Sequence, residues 1–259
     1  MSRELAVVAV LISAMALWLP TRSQSFTTVA VDGRTVRMLV AGGGEATVVF
    51  ENGYAVPLET WGKVQPAVSR FAATVAYDRA GFGLSEDGPA PRDGLRIAAE
   101  LHRALELADL APPYVLVGHS LGGLYVRIFA GLYPDEVAGL VLVDPTLSAD
   151  GIEAGLPELD VLSDTVSQAR ASPIPAGLPV YLIDAVGPPE LPFATAAIRD
   201  ARAAGRAENI ADSRAYEDWL DGVPGGVLVH TERSGHNVPI ERPELVVETI
   251  RRIVEAAPR

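Results

Sequence analysis

Short apolar runs alternate with stretches of helical period along most of this chain. Thr47–Phe50, Thr74–Tyr77, Tyr114–Val117, Gly139–Val143, Val180–Ile183 and Val227–His230 are brief runs rich in β-branched residues and bounded by turn formers, the pattern of strands. Between them, Leu95–Leu110 places apolar residues at 97, 98, 101, 104, 105 and 108, one face of an amphipathic helix. Leu121–Leu132 and Pro243–Ala256 also read as helices, the latter with proline at a favourable early position. Thr60–Phe71 is a further helical stretch that Pro66 weakens. Phe26–Val31 and Arg34–Val40 flank Asp32-Gly33, a hairpin signal. Strands that are apolar throughout need cover on both faces, so these elements predict a mostly parallel sheet between helical layers, with an antiparallel start.

Two regions depart from that rhythm. Leu5–Leu19 (LAVVAVLISAMALWL) is almost unbroken apolar sequence, preceded by Arg3 and followed by Pro20 and a polar stretch. Its length suits a secretory core better than a full membrane span, which takes about 20 residues. Residues 1–25 are therefore expected to be a signal or anchor segment, exporting the protein or tethering it to a membrane, and 26–259 the folded domain. The stretch 145–179 is rich in Pro, Gly, Ala, Asp and Glu and is too long for an ordinary connection. It predicts a cap or lid, with 187–226, which carries Tyr216 and Trp219, walling the same pocket. Asp150, Glu153, Glu158, Asp160 and Asp164 lack compact ligand spacing and read as a solvated lid face instead of a metal site.

Composition narrows the function. The 259 residues are 49 % apolar and 21 % charged, the balance of a globular protein. A net charge of −12 disfavours nucleic acid and electrostatic docking on anionic lipid, so membrane contact is expected only through an uncleaved N-terminal segment. The absence of cysteine removes disulfides, thiol catalysis and thiolate metal sites.

The chemistry centres on Gly118-His-Ser-Leu-Gly122, a G-x-S-x-G sequence set between a predicted strand and a predicted helix. That turn lifts Ser120 above the sheet and aims the free N–H groups of the helix at its hydroxyl. A serine needs a base, and four histidines are present. His236, in the loop after the last strand, falls at the same edge of a parallel sheet as Ser120. His230, ending that strand, is the weaker alternative. His119 reads as a packing residue or a support for the oxyanion loop, and His102 as a surface or half-buried position on its helix.

Four segments in a fixed order carry a family likeness: Tyr114–Gly123 around the serine, Tyr77-Asp-Arg-Ala-Gly-Phe-Gly-Leu-Ser85, Gly139–Pro145, and Ser234-Gly-His-Asn237 ahead of the last helix. In these the chain resembles the α/β-hydrolase-fold serine hydrolases of the esterase-like branch, from about Phe26 to the C-terminus. The resemblance implies a mostly parallel eight-stranded sheet with helices on both faces and a small cap insertion. It also implies Ser120 as nucleophile, His236 as general base and an oxyanion hole formed by the N–H groups of Leu121 and Tyr54. For the acid, Asp144 after the strand 139–143 comes first, with Asp184 and Glu190 as alternatives, because the usual offset beyond the strand 180–183 falls at Pro188. Tyr54 and Trp61 line the acyl pocket or pack in the core, and the loop 78–85 reads as a braced structural turn. The implied reaction is cleavage of small to medium hydrophobic carboxylic esters, with no cofactor and no metal. Lactone, carbon–carbon and aminopeptidase chemistry use the same groups, and a receptor with a dead site is the alternative outside catalysis. Ser120 in place of an aspartate disfavours epoxide and haloalkane chemistry.

Overall fold

The computed structural model describes residues 22–150, 152–187 and 213–256. Eight strands form one sheet: β1 (Arg22–Val31), β2 (Arg34–Gly42), β3 (Thr47–Glu51), β4 (Ala73–Tyr77), β5 (Tyr114–His119), β6 (Val137–Val143), β7 (Val180–Ala185) and β8 (Val227–Thr231). Their spatial order is β1-β2-β4-β3-β5-β6-β7-β8. β1 and β2 form the antiparallel hairpin around Asp32-Gly33, and β2 meets β4 antiparallel. Every pairing from β4 to β8 is parallel. β1 begins at Arg22, four residues before the expected Phe26 and inside the 1–25 segment. The apolar run Leu5–Leu19 lies outside the described residues. Among the described residues, no helix is long and apolar enough to cross a membrane.

The apolar strands divide their side chains between two cores. Val49, Leu116, Leu140, Leu142 and Leu182 belong to one, Val48, Phe50, Val115, Val117, Val141 and Val143 to the other. Because side chains alternate across a sheet, a strand flanked by two helical layers is apolar at every position. The second core is closed by the one-turn helix α1 (Gln65–Val68), Trp61 and the C-terminal helix. The expected helix Thr60–Phe71 is only this short turn after a 3₁₀ turn at Leu58–Trp61, with Pro66 in its first turn, where its missing N–H costs nothing.

The first core is closed by α2 (Gly94–Leu107), α3 (Gly122–Leu132) and α4 (Leu162–Ala171). α4 lies within the expected cap stretch, and its side chains finish α2. Thr165 Oγ1 accepts from Gly94 N at 3.1 Å and Gln168 Oε1 from Leu95 N at 3.0 Å, while the N-cap Asp93 accepts from Arg96 N at 3.0 Å. Three of the N–H groups that a helix start leaves unpaired are thereby satisfied. The remaining helices are α5 (213–221), α6 (Val238–Glu241) and α7 (Pro243–Ala256). Of the second expected wall, 187–226, residues 188–212 lie outside the described residues.

The acidic residues of the cap stretch do not behave alike. Asp150, Glu153, Asp160 and Asp164 are exposed, as a solvated face requires. Glu158 is buried and forms an ion pair with Arg79, which corrects its reading as a solvated residue. An acid inside such a run is pulled inward when a buried guanidinium is within reach, and no period in the run itself signals it.

Candidate active site

The parallel strands deliver three of the predicted residues to one rim. Ser120 follows β5 directly and adopts φ 53°, the left-handed region, which costs a non-glycine residue about 1–2 kcal/mol. Its backbone is pinned from both sides, Ser120 N donating to Val143 O and Ser120 O accepting from Thr146 N, both at 3.0 Å. The flanking glycines are obligatory: a Cβ on Gly118 would stand 2.6 Å from Gly122 O, and one on Gly122 would stand 2.6 Å from Glu51 O. A turn this tight places the Ser120 side chain at the N-terminus of α3.

Asp144 follows β6 with φ 44°, its N–H still continuing the ladder to Ile183 O at 2.8 Å. His236 sits in the loop between β8 and α6. Its Nδ1 lies 2.6 Å from Asp144 Oδ2 across 92 residues of sequence, and Asp144 Oδ1 accepts from Ala185 N at 3.2 Å. A carboxylate can only accept, so Nδ1 carries the proton and Nε2 keeps its lone pair. The His236 loop is held by Glu241, whose Oε2 accepts from Gly235 N at 3.0 Å.

His119 joins the two sides. It is buried, and its Nε2 donates to the His236 carbonyl at 2.8 Å, with the two rings 4.8 Å apart. Burial, and next the neighbouring His236, lower its pKa to about 4, so it is neutral at pH 7. Trp61 stands edge-on to His119 and packs on Phe50 with no exposure, so it is a core residue and not a pocket wall.

Gly53 abuts the serine: a Cβ there would stand 3.2 Å from Ser120 Cβ. The next residue, Tyr54, is half-buried with its ring edge-on to Phe82 at 5.5 Å. Leu121 lies at the start of α3. Among the described residues, no backbone carbonyl accepts from the Tyr54 or Leu121 N–H.

The alternative acids fall elsewhere. Asp184, inside β7, is buried and bonded through Oδ2 to His230 Nδ1 at 2.9 Å and to Ser213 Oγ at 2.5 Å. Burial raises its pKa, against those two hydrogen bonds. Glu190 lies outside the described residues. The fourth histidine, His102, stacks on Tyr133 at 3.9 Å and approaches Glu136, away from this rim. Among the described residues, no cluster of His, Asp and Glu could hold a metal ion.

The Arg79 network runs deeper than the turn signals of 78–85 indicate. The 78–85 loop is a braced turn, as expected: Asp78 accepts from Leu58 N at 2.8 Å and Leu84 N at 3.0 Å. Arg79, however, reaches the loop that carries Tyr54. It bonds to Glu51 and to the carbonyls of Asn52 and Gly53. The available signal was the pairing of an acid at the end of β3 with a basic residue just after the adjacent β4.

Comparison with known proteins agrees with this architecture. The sequence profile of the alpha/beta hydrolase fold matches residues 46–196, more than half of the chain. The uncharacterized protein YqjL of Bacillus subtilis is 36 % identical over 106 residues, 41 % of this chain and 42 % of YqjL. The N-formylmaleamate deformylase of Pseudomonas putida is 30 % identical over 141 residues, 54 % of this chain and 53 % of that enzyme. These matches thus span about half or less of the relatives' own length. Among solved structures, a thermophilic esterase from Thermogutta terrifontis superposes with a TM-score of 0.62 at 18 % identity, covering 90 % of this chain and 98 % of the esterase, a likeness of fold. With the profile match spanning the strand–serine–helix turn and most of the sheet, the chain belongs to the alpha/beta hydrolase family.

Proposed function

We propose that this protein is a serine hydrolase that cleaves carboxylic esters through an acyl-enzyme. The observation that carries the reading is the 2.6 Å contact from His236 Nδ1 to Asp144 Oδ2, made beside a serine held in a left-handed turn. Ser120 Oγ attacks the ester carbonyl carbon while His236 Nε2 takes its proton. Asp144 holds the imidazole in the required tautomer and stabilises the imidazolium. The carbonyl oxygen, now negative, is received by the N–H groups of Leu121 and Tyr54. The carbon–alkoxide bond breaks as His236 returns the proton to the leaving alcohol. Water then attacks the acyl group, giving one proton to His236, and Ser120 leaves with that proton as the carboxylic acid is released.

Small to medium hydrophobic esters are the proposed substrates, since the Tyr54 ring, packed on Phe82, directly follows the Gly53 that abuts Ser120. A second reading, hydrolysis of an activated amide, has the deformylase relative behind it. We further propose that the apolar run Leu5–Leu19 exports the protein or anchors it. Cell fractionation with N-terminal sequencing tests this, and full-length protein in the cytosol would refute it.

The test of the reaction is Ser120→Ala. Turnover of p-nitrophenyl butyrate should fall by at least about 10⁴-fold with thermal unfolding unchanged within a few degrees. A fluorophosphonate probe should label the parent and not the variant. Equal turnover in both would end the nucleophile assignment, and a substrate panel adding N-formyl amides separates the two readings.

A further inference from the structure

Arg79 is buried, and each of its five N–H donors has an acceptor. Nε donates to Glu158 Oε1 at 3.0 Å and Nη2 to Glu158 Oε2 at 2.9 Å, a bidentate pair. Nη1 donates to Glu51 Oε1 at 2.7 Å and to Asn52 O at 2.5 Å. Nη2 also donates to Gly53 O at 2.8 Å. The guanidinium lies 5.0 Å from the Tyr125 ring centroid, and the Tyr125 hydroxyl donates to Glu158 Oε2 at 3.1 Å. The Tyr77 hydroxyl bonds the other oxygen of Glu51. One cation thus ties the end of β3, the loop after it, and the segment between β6 and α4.

The bond to Gly53 O reaches further than structure. A trans peptide is planar, and its C=O and N–H point in opposite directions. Gly53 C=O and Tyr54 N–H belong to the same plane. With the carbonyl drawn to Arg79 on the buried side, the N–H is turned to the other side, and Gly53 itself stands against Ser120. The bond to Asn52 O fixes the preceding plane in the same way. Rotation of the Gly53–Tyr54 plane would break a charge-assisted hydrogen bond inside a buried network. Glycine, with no Cβ to restrict φ, supplies no such restraint by itself.

We propose that Arg79 is a positioning residue for catalysis: it orients the Gly53–Tyr54 peptide as an oxyanion donor, and Glu158 from the cap segment holds Arg79 in that pose. The inference rests on the acyl-enzyme reading above. Two carboxylates share one guanidinium here, and burial pushes Glu51 up from the usual carboxylate range against the pull of Arg79. Removal of the Glu158 charge therefore leaves Arg79 better matched to Glu51, and E158Q should fold. Lysine at 79 keeps the charge but has three donors on one atom in place of the planar fork.

The experiment compares the full-length parent with R79K, E158Q and S120A, each checked for folding by circular dichroism and thermal melting. Three quantities are read: kcat and KM for p-nitrophenyl butyrate, and Ki for an alkyl trifluoromethyl ketone, whose serine adduct is a tetrahedral oxyanion. R79K should lower kcat about 10²-fold, the scale for loss of one oxyanion donor, with KM within threefold and Ki raised in parallel. E158Q should show the same signature at about tenfold. A structural role alone would lower the melting temperature and leave the ratio of Ki to KM as in the parent. The inference is overturned if folded R79K and E158Q keep kcat within threefold, if the loss appears only in KM, or if Ki does not move with kcat. Failure of the acyl-enzyme reading looks different: the parent then shows no Ser120-dependent turnover and no ketone inhibition, and both statements fall together.

Discussion

Asp144–His236 and Asp184–His230 are the same pair of side-chain types, held at 2.6 Å and 2.9 Å. Their settings differ. Asp144 stands just past β6, where a left-handed residue bends the chain over the rim, and its partner arrives on a loop. Asp184 stays within β7, and its partner is the residue opposite it on β8. The side chain of Asp184 is 2 % exposed and that of Asp144 is 15 % exposed. A carboxylate that remains in the ladder is claimed by the adjacent strand and, here, by the Ser213 hydroxyl as well. One that stands a single residue past the strand end, in a left-handed turn, is free to orient an imidazole brought from far along the chain. Backbone conformation at the strand end separates the two, since residue type does not.

The comparison breaks most visibly under amide substitution. Asp144→Asn should lower kcat for p-nitrophenyl butyrate about 10⁴-fold, because an asparagine amide facing Nδ1 favours the wrong imidazole tautomer. Asp184→Asn should leave kcat within threefold. Similar losses in both variants, or a larger loss at Asp184, would remove the distinction between the pairs. Thermal melts of each variant show whether an activity loss is a folding loss.

His119 belongs to one side of the comparison, since its ring N–H holds the His236 carbonyl. Its pKa is about 4 in the folded protein against 6.5 in an unfolded chain. Above pH 6.5 both states are neutral and the native contact is fully available. As the pH falls from 6.5 towards 4, the unfolded chain takes up a proton that the buried ring refuses, and stability is lost over that window. The sum is about 3 kcal/mol, at roughly 1.4 kcal/mol for each pKa unit. Urea unfolding from pH 7 to 4 should show this loss in the parent. A His119→Gln variant should be flatter over the same window by about that amount. Equal slopes would mean that His119 titrates as an ordinary surface histidine.

Much of the fold was legible because its signals are local. Gly118 and Gly122 mark the strand–helix joint, the β-branched runs mark the parallel strands, and the last helix spans Pro243–Ala256 as its period predicts. The acid was the harder choice. Asp144 directly follows one apolar strand and Asp184 nearly ends another, and what separates them is the left-handed backbone torsion of Asp144, which no composition records. Nothing local marks Glu158 as buried, because the other acids of its run are exposed and its partner lies 79 residues away. The apolar spacing over Thr60–Phe71 predicts a longer helix than forms, because a short 3₁₀ turn and one α-turn bury Leu58, Trp61, Val64 and Val68 equally well. Long-range ion pairs and left-handed turns are properties of the folded chain, and single-sequence periodicity carries neither.

His230 offers the smallest effect and the most specific test. Its side chain is 47 % exposed, so its pairing with Asp184 is screened by water and contributes no more than about 1 kcal/mol. Ser213 continues to donate to Asp184 if His230 is lost, which keeps the buried carboxylate hydrogen-bonded. His230→Gln should therefore change the free energy of unfolding by less than about 1 kcal/mol, measured by urea titration at pH 7, and change kcat by less than twofold. A tenfold fall in kcat with stability unchanged would reverse the assignment. It would mean that the imidazole on β8, and not the one in the following loop, serves Ser120, with Asp184 as its acid.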